Sequence, residues 1–147
     1  MNQPSQLPLL IGIGARIRKS PYFDSTIKYG VRGFTIYNKM YLPTGFSDPE
    51  KEYHALINDV TFGDFAAERQ VEITGPDAYD FVRYINPRNL SKCEIGDCKY
   101  IILTDQHGGL INDACLIRLE PNKFWVSPGD GDVLLWLQGI AINKNMD

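Results

Sequence analysis

With 147 residues, 15 basic and 18 acidic side chains and a formal charge of −3, the chain has the length of one ordinary domain and no basic excess for gripping a phosphate backbone. Its 44% hydrophobic and 22% charged residues are enough for a core, which argues against wholesale disorder, and nucleic acid is not an expected partner. From the N-terminus, Leu7 to Ile13 is apolar but far shorter than a membrane span, follows no basic segment and contains Pro8 and Gly12. A cytoplasmic protein opening on a strand or arm, with no membrane partner, is the expectation. Gly12-Ile13-Gly14 lacks the third glycine, the following helix and the acidic ribose partner of a dinucleotide fingerprint.

Ser47-Asp48-Pro49 reads as the start of a helix over residues 50–57, with proline in the first turn and Glu50 and Glu52 near its positive end. Gly63 marks a break. Residues 69–74 alternate as a strand, and Gly75-Pro76-Asp77 opens a helix whose Ala78, Phe81, Val82 and Ile85 form an apolar stripe that Pro87 ends. Residues 99–103, 110–119 and 123–127 read as further strands, the first two joined through the polar loop Asp105 to Gly109 as a hairpin. A further helix, amphipathic or buried, is expected over 130–142. This order predicts an α+β fold, an antiparallel sheet with helices on one face.

Within the strand at 110–119, alternation places Asp113 on one face with Ile111, Cys115 and Ile117. That face is expected to be at least half buried, and burying an ionised carboxylate costs several kcal/mol unless hydrogen bonds, a cation or a ligand compensate. Asp113 is therefore the first candidate site residue. The competing structural reading is a carboxylate at a sheet rim, satisfied by water or a backbone amide. Cys93, Cys98 and Cys115 form an odd set without a secretory signal, so free thiols are expected. With His54 and His107 as the two histidines, no ligand spacing suits zinc and no metal is expected. No base is linked to Cys115, so a cysteine nucleophile is not expected either.

Gly108-Gly109-Leu110-Ile111-Asn112-Asp113 resembles the Gly-Gly-hydrophobic-x-Asp-Asp segment of the glycine-cleavage T-protein (aminomethyltransferase) family, with Asn112 in place of the first aspartate. Further blocks resemble the branch of tetrahydrofolate-dependent dimethylsulfoniopropionate demethylases: Arg16-Ile-Arg-Lys-Ser-Pro-Tyr-Phe23, Tyr37-Asn-Lys-Met-Tyr-Leu-Pro43, residues 63–73 with 87–92, and residues 122–127 with 132–136. They run in family order from about Arg16 to Ala141. Residues 37–43 and 64–68 depart from the motifs of glycine-cleaving members, and Ser127 to Asp132 departs from the demethylase pattern.

The resemblance implies tetrahydrofolate as cofactor, a small-molecule methyl donor as partner, and methyl transfer from a sulfonium such as dimethylsulfoniopropionate. It implies that Asp113 is the catalytic, folate-side carboxylate and that Tyr100, thirteen residues earlier, contacts the folate. Tyr37, Met40, Glu68 and Trp125 are the implied donor-side residues, with Glu68 and Arg69 expected to point one inward and one outward. Trp125, Trp136 and Tyr100 each also fit a plain core role. Family members are more than twice this length, so the chain is expected to be an N-terminal portion of a T-protein-like lobe, with a ferredoxin-like subdomain at 59–127. Such a lobe would be incomplete, and an exposed apolar face would favour a homo-oligomer. The alternatives are a folate-binding or assembly module without turnover, and an aminomethyltransferase acting on glycine or another methylamine.

Overall fold

The computed structural model describes residues 14–147, so the expected strand or arm at 7–13 lies outside the described residues. The chain divides into two compact units, Met1–Ala67 and Glu68–Asp147.

The first unit contains helix α1 (Phe23–Lys28), strands β1 (Gly33–Tyr37) and β2 (Met40–Gly45), and helix α2 (Pro49–Asn58). β1 and β2 form an antiparallel hairpin with Tyr37 opposite Met40. The intervening Asn38 and Lys39 adopt φ of 49° and 58°. Positive φ at both central residues is the turn that follows the natural twist of a hairpin, and asparagine tolerates it better than most residues. The Asn38 side chain is buried and donates from Nδ2 to the Ala67 carbonyl at 3.1 Å. Phe23 stacks on Phe34 at 4.9 Å and meets Tyr41 at 5.5 Å, giving this unit an aromatic core. Neither α1 nor this hairpin was expected from hydrophobic periodicity, because both elements are short and the hairpin turn lacks glycine.

α2 matches the expected helix closely. Asp48 caps it by accepting from the backbone N–H groups of Glu50 and Lys51, with Pro49 in the first turn. Glu52 reaches back, its Oε1 accepting from the N–H of Phe46 at 2.7 Å and of Ser47 at 2.6 Å. These backbone donors hold its carboxyl below the ordinary value of 4.5. A carboxyl whose folded value is depressed contributes stability above its unfolded value and loses that contribution as pH falls through the folded one. Amide hydrogen exchange at Phe46 and Ser47 is therefore expected to accelerate, relative to the intrinsic rate, as pH drops from 6 to 3. Glu52→Gln is expected to remove that pH dependence.

The second unit is built from β3 (Val71–Thr74), α3 (Ala78–Tyr84), β4 (Cys98–Thr104), β5 (Leu110–Glu120), β6 (Lys123–Pro128) and α4 (Val133–Lys144). Its sheet runs β3-β6-β5-β4, and each neighbouring pair is antiparallel. Asp105 closes the β4–β5 hairpin, its Oδ1 accepting from the N–H of His107 and Gly109, both at 2.8 Å. Gly108 takes φ of 82°, where a side chain would be strained.

One sheet face carries the core. Ile101, Leu103, Ala114, Leu116, Phe124 and Val126 pack with Phe81 and Val82 of α3 and Val133 and Leu137 of α4. The expected antiparallel sheet with helices on one face is what forms. Among the described residues, no helix is long and apolar enough to cross a membrane.

Candidate functional site on the open sheet face

The sheet face opposite the helices is exposed, and strand alternation decides which side chains it presents. β4 contributes Cys98, Tyr100 and Ile102, and β5 contributes Ile111, Asp113 and Cys115. Tyr100 pairs in register with Cys115, and Ile102 with Asp113. Tyr100 and Asp113 are thus diagonal neighbours on one face, and the phenol Oη donates to Asp113 Oδ2 at 2.6 Å. That bond, and the desolvation and negative charge around it, raise the Tyr100 phenol above its ordinary value. The pair is a phenol held protonated beside a carboxylate held in one orientation.

The expectation that Asp113 shares a half-buried face is corrected here. Asp113 and Cys115 are exposed, whereas Asn112, Ala114 and Leu116 are buried. The register is the one expected, but the helices cover the face of Asn112 rather than that of Asp113. The cost of burial therefore does not single out Asp113; its bond to Tyr100 does.

Asn112 has a role that sequence reasoning missed. Its Nδ2 donates to the Asp130 carbonyl at 2.9 Å, and its Oδ1 accepts from the Gly129 N–H at 2.9 Å. The Gly129 N–H also reaches the Asp113 carbonyl at 3.1 Å. An amide donates and accepts at once, which an ionised aspartate does not, so Asn112 pins the β6–α4 loop to β5 beside Asp113. An asparagine in an apolar run, three residues after a glycine pair, was the available signal.

Trp125 lies on the same open face, on β6, 38% exposed. Its indole N–H donates to Glu72 Oε2 at 2.9 Å. That bond, with Lys123 Nζ at 3.4 Å, holds the Glu72 carboxyl below its ordinary range. The remaining candidates are placed differently. Glu68 and Arg69 are both exposed, so the expected inward and outward division is not seen; they precede β3 rather than alternating within it. Tyr37 and Met40 flank the β1–β2 turn in the first unit, where Met40 is buried. Trp136 packs against the core of the second unit.

An exposed aromatic ring beside an oriented carboxylate, on an open sheet face, suits a flat heterocycle that gains positive charge. Comparison with known proteins gives this arrangement a family. The model of the GCVT N-terminal domain matches residues 22–144. Dimethylsulfoniopropionate demethylase DmdA of Ruegeria pomeroyi is 37% identical over 90% of the chain, which corresponds to 36% of that protein. An aminomethyltransferase of Corynebacterium jeikeium is 33% identical over 72% of the chain and 27% of its own length. The crystal structure of aminomethyltransferase T of the glycine cleavage system from Bartonella henselae superposes with a TM-score of 0.68 at 20% identity, covering 85% of this chain and 36% of that one. The chain spans about a third of the length of these relatives. It belongs to the glycine-cleavage T-protein family, through that family's N-terminal domain.

Proposed function

We propose that this chain is the folate-facing N-terminal portion of a tetrahydrofolate-dependent methyltransferase that takes its methyl group from a sulfonium such as dimethylsulfoniopropionate. The observation that carries the reading is the Tyr100–Asp113 hydrogen bond at 2.6 Å on an exposed face of a T-protein-family sheet. The 37% identity to a dimethylsulfoniopropionate demethylase supports the sulfonium donor.

Tetrahydrofolate supplies the accepting nitrogen. Bound there, that nitrogen would become more cationic as it accepted the methyl group from a sulfonium. Asp113, on the folate side, attracts the transition state more strongly than the ground state, which is what lowers a barrier. Tyr100 fixes one carboxylate oxygen, leaving the other for the pterin, and offers its ring as a packing surface. Trp125, on the same face, offers an aromatic wall for a sulfonium, a contact worth about 0.5–2 kcal/mol. Exposed apolar side chains, among them Ile102 and Ile111 on this face and Leu56 and Ile57 on α2, would support self-association of the chain.

A second reading is a folate-binding module without turnover, in which the Tyr100–Asp113 pair holds the pterin and no methyl group is passed on. Incubating the chain with tetrahydrofolate and either dimethylsulfoniopropionate or dimethylglycine, then separating folates chromatographically, distinguishes the readings. Methyltetrahydrofolate from the sulfonium alone is the expected product. One-carbon transfer from dimethylglycine instead would replace the donor assignment. Folate binding without product from either donor would establish the module.

A further inference from the structure

β4 is an outer strand of its sheet, so the carbonyls along its free edge take partners from outside the ladder. At Tyr100 Arg88 fills that role, its Nη1 donating to the Tyr100 carbonyl at 2.7 Å. One tyrosine therefore has its hydroxyl on Asp113 and its backbone on a guanidinium. The segment that follows α3 sets Arg88 in place. Its N–H donates to Asn86 Oδ1 at 2.9 Å, and the buried Asn86 in turn donates from Nδ2 to the Val82 carbonyl of α3. Pro87 between them fixes one backbone angle of the bend.

What Arg88 lacks is an acid. Lys99, on β4, is bound by Asp97 at 2.8 Å, and Arg83, on α3, by Asp80 at 3.3 Å, but among the described residues no carboxylate pairs with Arg88. Arginine is always charged in proteins, carries five N–H donors in one plane and meets a carboxylate through two of them at once. The bond to Tyr100 engages Nη1 and leaves the other donors of this exposed side chain available. Two charges of opposite sign thus border one exposed tyrosine, Asp113 at its hydroxyl end and Arg88 at its backbone end. The length of the tyrosine side chain keeps them from neutralising each other. A ligand with a nitrogen that gains positive charge at one end and a carboxylate at the other matches both.

We propose that Arg88 is a specificity-determining residue that binds a carboxylate of a ligand lying on Tyr100 and Asp113. The inference rests on the folate reading of that face. Tetrahydrofolate carries carboxylates on its glutamyl tail and dimethylsulfoniopropionate carries one on its propionate, so the recognising chemistry is the same for both sources.

Calorimetric titration of the full chain separates them with two matched pairs of probes. Tetrahydrofolate is set beside 6-methyltetrahydropterin, which lacks the tail, and dimethylsulfoniopropionate beside trimethylsulfonium, which lacks the carboxylate. Arg88→Gln keeps a donor for the Tyr100 carbonyl while removing the charge, and Arg88→Lys keeps a charge without the planar fork. Arg88→Gln is expected to weaken a carboxylate-bearing probe about tenfold and to leave its carboxylate-free counterpart unchanged; the pair that responds identifies the source. Arg88→Lys is expected to fall between, and a thermal melt of each variant checks that it is folded. A merely structural role at the strand edge would weaken both members of a pair together, and that result would overturn the proposal. So would equal binding of both carboxylate-bearing probes by the wild type and Arg88→Gln. In that case tetrahydrofolate binding that Asp113→Ala loses would leave the folate reading standing, whereas a wild type that binds none of the four probes overturns both.

Discussion

Phe124→Ala is expected to destabilise the second unit by about 3–5 kcal/mol, the cost of emptying a fully buried phenylalanine site. Phe124 is 0% exposed at the centre of the sheet, on β6. It meets the Tyr79 ring at 6.3 Å and the Arg118 guanidinium at 5.6 Å. Arg118 is itself fixed by donating to the Cys93 carbonyl at 2.7 Å, so the cavity cannot be filled by a simple shift of that side chain. Domains of this size are stable by about 5–15 kcal/mol, and the substitution removes a large fraction of that. Both tryptophans, Trp125 and Trp136, lie in the second unit, so urea unfolding followed by tryptophan fluorescence reports on it directly. The midpoint is expected to fall sharply with an unchanged slope. A shift below about 1 kcal/mol would mean that the helices do not pack on this face as described.

The second unit was largely legible in the sequence, and the reason is physical. Its strands are long enough for alternation to show, α3 carries an apolar stripe, α4 is largely apolar all round, and Pro87 and the Asp105 to Gly109 loop mark the ends of elements. The observed bounds differ from the expected ones by a few residues: α4 starts at Val133 rather than 130 and ends at Lys144 rather than 142. The pairing of Tyr100 with the strand of Asp113 followed from the same hairpin.

What alternation cannot give is which face of a strand the helices cover. Both faces of β5 contain apolar residues, with Ile111 and Ile117 on one and Ala114 and Leu116 on the other. Burial of Asn112 is possible because its amide is satisfied twice, at Asp130 and Gly129, and that partner loop is not adjacent in sequence. The β1–β2 hairpin escaped notice for a local reason. Its turn is Asn38-Lys39 rather than an asparagine-glycine pair, and the positive φ at Lys39 is maintained by the surrounding structure.

Asp113→Ala is expected to weaken tetrahydrofolate binding by about ten- to a hundredfold, since a hydrogen bond to a charged group contributes about 1.5–3 kcal/mol. Asp113 is exposed and leaves no cavity, so the variant is expected to fold. Its loss also releases the Tyr100 phenol, whose raised value depends first on that bond. The phenol's tie to Asp113 contributes stability below the ordinary tyrosine value of 10.0 and is lost as pH rises through the higher folded value, so binding assays near neutral pH compare intact with broken pairs. Titration of the purified chain with tetrahydrofolate by calorimetry, beside Asp113→Ala, tests the central claim most directly. Saturable binding by the wild type that the variant loses is the expected result. Equal binding by both chains, or none by a folded wild type, would contradict the assignment of Tyr100 and Asp113 as a folate half-site.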